Sequence, residues 1–333
     1  MLSSNRPLSP LLLVNALLML GCSSQTPLGR WEGPERPADV RRQDWHAGPE
    51  MGQVLLTEHY RIFTTVTDQD VLQLLPQVME GAWARYRLVA PHLQPSDQPL
   101  DCYMFRWRGQ WEAYTERYAG PNAKVYLKIR SGGYTIQDRY VTYYNGREGA
   151  FSVASHEGWH QFIGRHFKGR LPPFIEEGLA CMFEAVSWDD RLPRWNISLN
   201  GPRAQALRRT IAAKSLLPLQ DLCAMQAGQT VGRSGDEIDR FYAQSWAFAR
   251  FLWDAEDRRF RPALQRWLAD AADGAVHDPT GSHRQTSATW QSQAVRPMLE
   301  HYLGADISTL DMAYRAFARK IAYDELPKHR SAS

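Results

Sequence analysis

The chain changes character around Asn145-Gly146. Before that point, short runs rich in β-branched and aromatic residues read as strands or hairpin arms. They are QVLLTEHYRIFTTVT (53–67), LDCYMFRW (100–107), AKVYLKIRSGG (123–133) and RYVTYYNG (139–146), the last closing on an Asn-Gly turn signal. After it, apolar residues recur at helical spacing, which predicts helices over 149–163, 173–187, 202–214, 236–254, 259–272 and 306–322. Strands followed by a run of helices imply an α+β domain, a small N-terminal mixed sheet leading into a mostly helical half. Two helices are expected among the strands. One covers 68–90, with Val71, Leu74, Leu75, Val78, Met79 and Trp83 on one face and Asp68 or Asp70 as N-cap. The other is the short QWEAYTERYA (110–119). The polar run 278–293 reads as a surface loop.

Composition narrows the class. An apolar content of 44% and a charged content of 23% are those of a globular protein. A net charge of +3, with no basic stripe interleaved with aromatics, gives no support to nucleic-acid binding. The N-terminus has one arginine, Arg6, then the apolar run LLLVNALLML and a small residue, the layout of an export signal. That run is too short to span a bilayer, which needs about 20 apolar residues. Met19-Leu20-Gly21-Cys22 is similar to a lipobox, in which Cys22 carries the lipid and anchors the mature chain to the membrane. Ser23 after that cysteine, by resemblance to bacterial sorting rules, favours the periplasmic side of the outer membrane. The expected organisation is therefore a signal at 1–22, a Pro/Gly-rich flexible linker at 23–51, a single domain at 52–325 (sheet part 52–148, helical part 149–325) and a tail at 326–333. Cys102, Cys181 and Cys223 show no CxxC spacing and select no disulfide pair.

Residues 156–167, HEGWHQFIGRHF, carry the chemistry. One helical turn separates His156 from His160, so both project from one face and can grip one metal ion. Glu157 is offset beside them, where it can take a proton from water. Phe151, Ala154, Gly158 and Phe162 are expected to bury on the opposite side, with Gly158 costing about 1 kcal/mol in helix propensity. A third ligand is offered by His166 or by Glu177. His166 has the histidine spacing of HExxHxxGxxH, but Ile163 stands where the chain would have to reverse at positive φ, and a β-branched residue resists that. Glu177 lies in LPPFIEEGLACMFE, whose prolines suit a helix start and whose Glu177, Cys181 and Glu184 share a face. Glu176 points about 100° away and is expected to be the ligand's neighbour.

The HEGWH and EEGLA blocks, with HYRIFTTV, LDCYMFRWRGQWEAY, GGYT, LPLQDL and FYAQSWAFARFL in the same order, resemble a family of bacterial secreted gluzincin-like proteins. The resemblance covers most of the mature domain. It implies a zincin-like fold with Zn2+ held by His156, His160 and Glu177, Glu157 as general base, and hydrolysis of a peptide or protein substrate. Tyr242 is by the same resemblance the candidate donor to a developing oxyanion. The strand 139–145, just before the HEGWH helix, takes the place of the edge on which a peptide would pair. Trp159 and Cys181 depart from the family, where threonine and an acidic residue or tyrosine are usual. If position 181 normally orients a ligand histidine, Glu184 either takes over that role or only pairs with a basic loop residue. The rival readings are a non-catalytic envelope scaffold that keeps the fold, and a zinc hydrolase of a non-peptide substrate. Oligomeric state is not encoded in any feature of the chain.

Overall fold

A computed structural model describes residues 37–93, 98–129, 132–136, 138–189, 192–195, 199–225, 235–278 and 292–324. The leader, Cys22 and most of the predicted surface loop lie outside them. The fold is α+β: a six-stranded mixed sheet built from the N-terminal half, followed by helices. The strands are β1 (Arg41–Ala47), β2 (Glu50–Leu56), β3 (Tyr60–Thr64), β4 (Leu100–Phe105), β5 (Gly133–Ile136) and β6 (Arg139–Tyr143), in the order β1-β2-β3-β4-β6-β5. β3, β4 and β6 are parallel neighbours; β1, β2 and β5 pair antiparallel at the flanks.

Helix α1 (Gln69–Val89) crosses from β3 to β4. Asp68 caps it, its carboxylate accepting from the backbone N–H groups of Asp70 and Val71. Its buried face (Val71, Leu75, Val78, Met79, Trp83, Tyr86) lies against the sheet and helix α4 (Arg147–His166). Each such side chain stabilises by about 1.5–3 kcal/mol on burial. The other face of the sheet carries a smaller cluster of Phe105, Trp111, Tyr134 and Val141 under α2 (Arg108–Tyr118) and the single turn α3 (Ala123–Tyr126). Beyond α4 come α5 (Pro173–Cys181), the hairpin β7 (Val186–Asp189) and β8 (Leu192–Trp195), α6 (Gly201–Ala212), α7 (Leu219–Ala224), α8 (Gly235–Arg258), α9 (Arg261–Asp273), α10 (Ser292–Leu303) and α11 (Ile307–Asp324). No described helix is long and apolar enough to cross a membrane.

Four sequence expectations change. Strand β1 falls inside the stretch read as flexible linker, because Gly48 at φ 65° turns the chain back onto β2 and Trp45 packs edge-on against Phe63 at 5.4 Å. The run 123–133 is not a strand. Gly120-Pro121-Asn122 starts a 3₁₀ turn that continues into α3, and Tyr126 stacks on Tyr134 at 4.1 Å, so the strand begins only at Gly133. The helix over 173–187 stops at Cys181, where the chain turns into the β7–β8 hairpin. Strand β6 is interior, not an edge: β5 covers it, and β5 is an edge strand of the sheet among the described residues, beside α4.

Candidate metal centre

Gly146 precedes helix α4 as its N-cap, and its φ of 102° lets the Asn-Gly turn feed directly into the helix. It runs unbroken through Ile163 to His166, so no reversal occurs after His160. Phe151, Ala154, Gly158 and Phe162 are buried as expected, and Gly158 has a packing reason. A Cβ there would lie 2.6 Å from the Tyr86 hydroxyl, which donates to the Ser155 carbonyl at 2.5 Å. His166 turns away: its Nδ1 contacts the Phe162 carbonyl at 2.7 Å and its ring packs on Phe162 and Trp83. It takes no part in a ligand group.

Helix α5 starts at Pro173 and presses against α8. Gly178 permits this approach, because a Cβ there would strike the carbonyl of Ser245. The packing points Glu177 at the histidine face of α4. His156 Nε2 lies 3.2 Å and His160 Nε2 3.4 Å from Glu177 Oε2, and the two nitrogens are 3.3 Å apart. All three side chains are at most 14% exposed.

The three distances match those that a bound metal ion would impose. A tetrahedral ion with N/O bonds of about 2.0–2.1 Å sets its ligand atoms about 3.3–3.4 Å apart. Glu177 Oε2 is buried and faces both Nε2 atoms at ion-pair distance. The outer nitrogens are both engaged: His156 Nδ1 lies 2.9 Å from Glu184 Oε1 and His160 Nδ1 3.2 Å from Glu176 Oε1. Carboxylates at Nδ1 favour the tautomer protonated there, which leaves Nε2 free as a ligand. The donor set can therefore hold a metal ion.

A second possible ligand group, His156, Cys181 and Glu184, shares one histidine with the first. We read it as support rather than as a second site, because the Glu184 oxygens are already taken. Arg203 forks onto both at 2.8 and 2.7 Å and Asn200 Nδ2 donates at 2.8 Å, so a cation would meet a guanidinium. Glu184 thus contacts His156 and is at the same time paired with a basic residue, Arg203. Glu176 is the outer neighbour of His160 and is also held by Arg170 at 2.6 Å. Cys102, Cys181 and Cys223 are buried free thiols.

Electrostatically the cluster asks for positive charge at its centre. Burial opposes the protonation of His156, but contacts with Cys181, Glu177 and Glu184 outweigh it and raise its pKa well above the ordinary value. His160 is pushed up to about 9, burial again being overcome, by the Glu177 charge and by hydrogen bonds to Glu176 and Glu177. Glu177 is held well below the usual carboxylate range, with the two histidines outweighing its burial. Glu157 is the exception. Burial raises its pKa despite His160 and His156, and its carboxylate accepts a hydrogen bond from the Thr135 hydroxyl of β5 at 3.1 Å. Tyr242, on α8, brings its ring within 6.2 Å of the His156 ring, with the Arg203 guanidinium 4.9 Å from its centroid. The Glu177 charge, then burial, keeps its phenol protonated far above neutrality.

The structure therefore gathers His156, His160, Glu177, Glu157 and Tyr242 at one place. Thr135, Arg170, Asn200 and Arg203 were not foreseen. Asn200-Gly201-Pro202 signals a helix start, since Asn200 caps α6. Nothing local indicates that the same cap reaches back to Glu184. Compared with models of known protein families and with curated proteins, the chain matches none.

Proposed function

We propose that this chain is a zinc-dependent hydrolase of peptide bonds with gluzincin architecture, exported and tethered to the cell envelope through Cys22. The observation that carries the reading is the triangle of His156 Nε2, His160 Nε2 and Glu177 Oε2, with edges of 3.2–3.4 Å, beside a buried glutamate that none of the three uses. A purely structural metal site has no need of Glu157. Zinc fits the N₂O donor set and, when bound, supplies Lewis acidity towards a carbonyl and makes water a better acid.

The rest of the mechanism falls to the chain's own residues. His156, His160 and Glu177 hold the ion. Glu157, whose pKa burial raises, takes a proton from the attacking water and returns it to the leaving amine. Thr135 holds one carboxylate oxygen of Glu157 and fixes its direction. The protonated Tyr242 hydroxyl donates to the oxyanion as it develops. As an edge strand among the described residues, β5 would offer backbone groups to an extended peptide.

Metal analysis of the purified protein tests this. Wild type and H166A are expected to carry one zinc per chain, and E177A to lose it. If E177A keeps full zinc while H166A loses it, or if wild type holds no stoichiometric metal, the assignment is wrong. Incubation with a peptide mixture, read by mass spectrometry with E157Q as control, tests the substrate class.

A further inference from the structure

Both ligand histidines are backed by the same three-part arrangement. Arg203, Glu184 and His156 form one line, and Arg170, Glu176 and His160 form the other. We infer that Arg203 and Arg170 are positioning residues for the metal centre, acting through the glutamates on the two histidines. This deepens the proposed zinc site and rests on it.

The need for an arginine follows from what a glutamate can do unaided. A carboxylate one bond network away from a cation has two poor options available to it. It can rotate and leave Nδ1 without an acceptor, or swing inward and become a ligand itself. A guanidinium on the same carboxylate counters both by neutralising its charge, and a forked one also fixes its plane. The imidazole then keeps its proton on Nδ1 and presents Nε2 at a set angle.

The two lines are unequal. Arg203 makes a forked contact, Nε to Glu184 Oε2 at 2.8 Å and Nη2 to Oε1 at 2.7 Å. Asn200, itself the cap of α6, adds a third donor to the same carboxylate and a fourth bond to the Cys181 carbonyl. The start of α6 is thus a clamp that ties Glu184 to the end of α5. Arg203 also lies against the Tyr242 ring at 4.9 Å, so one side chain borders both the support of His156 and the candidate oxyanion donor. Arg170, by contrast, reaches Glu176 through a single contact at 2.6 Å, on the oxygen that faces His160 Nδ1, and its side chain is 34% exposed. Loss of the Arg203 fork should disturb the centre more than loss of Arg170.

The experiment measures zinc affinity by chelator competition and the visible spectrum of the cobalt-substituted protein. It compares wild type, E177A, R203M, R203K, R170M and R170K, with the melting temperature of each metal-free protein alongside. R203M is expected to weaken zinc binding by about 10–100-fold and to shift the cobalt bands. R203K keeps the charge without the fork, and is expected to weaken binding by about tenfold. R170M is expected to lose less than R203M, and R170K to restore most of that loss. If R203M does not fold, R203K carries the test. Zinc affinity in R203K and R203M within about twofold of wild type, while E177A has lost the metal, overturns the inference and leaves the zinc site standing. A larger loss in R170M than in R203M overturns the asymmetry. A lowered melting temperature with unchanged affinity and spectrum assigns Arg203 to the fold alone and also overturns it. A wild type without zinc removes both the site and the inference.

Discussion

Tyr86 on α1 and Gly158 on α4 meet where a β-carbon would not fit: the Tyr86 hydroxyl would lie 2.6 Å from it. On helix propensity alone, Gly158→Ala should stabilise by about 1 kcal/mol. The contact reverses the sign. Tyr86 is fully buried and its hydroxyl is committed to the Ser155 carbonyl, so accommodation requires α1 and α4 to separate. G158A is expected to destabilise by about 1–3 kcal/mol. In Y86F the nearest ring carbon would be 3.4 Å away, an ordinary contact, so the double variant Y86F/G158A should recover much of the loss. Denaturant unfolding of the four proteins checks this, and additive effects would refute the contact as the cause.

Replacing Glu157 by Gln preserves size and the Thr135 contact but removes the base. E157Q is expected to keep wild-type zinc content and to lose peptide hydrolysis by at least about 10²-fold. Metal loss in this variant would instead make Glu157 part of the ion's support.

Glu80 and His59 form a pair of low exposure, with carboxylate and imidazole 2.7 Å apart and a second contact to the His59 N–H at 2.9 Å. Burial pushes the Glu80 pKa up, but the hydrogen bonds and charge of His59, with Thr57, outweigh it and leave the pKa below the ordinary value. A depressed carboxylate contributes stability that is full above the unfolded pKa and is lost as pH falls through the folded one. Glu80→Gln should therefore cost about 1–2 kcal/mol at neutral pH and progressively less in acid. Unfolding free energies of both proteins between neutral pH and the acid limb should converge downward in pH; a gap that widens in acid would contradict the sign.

Much of this centre was legible in the sequence, for physical reasons that differ by residue. His156, His160 and Glu157 lie on one helix, where spacing alone fixes direction. Ile163 argues against His166, and the helix does run straight through it, while Glu177 comes forward through the resemblance of its EEGLA block. Arg203, Asn200 and Arg170 were not legible, since their role depends on how α6 and the turn before α5 sit against the histidines, which no local period encodes. The same limit explains β5. Its four residues are too few to show alternation, and it displaced β6 from the edge only through pairing partners distant from its own pattern. Trp45 and its strand were hidden by a Pro/Gly-rich, charged composition that resembles a spacer, although Gly48 supplies the turn of a hairpin.

Gly178 offers the sharpest separation of fold from site. Its missing β-carbon is what lets α5 lie on the backbone of α8, and Glu177 takes its direction from that packing. The obstacle is the Ser245 carbonyl, which is backbone and cannot change rotamer, so no side-chain substitution relieves it. Gly178→Ala is expected to destabilise by about 1–3 kcal/mol or more, and also to weaken zinc binding by moving Glu177 relative to His156 and His160. G158A sits on the far side of α4 from the ligands, and at comparable destabilisation should disturb the metal less. Zinc affinity and unfolding free energy measured on both variants distinguish the two: equal loss of affinity per unit of lost stability would mean that Gly178 acts only through the fold.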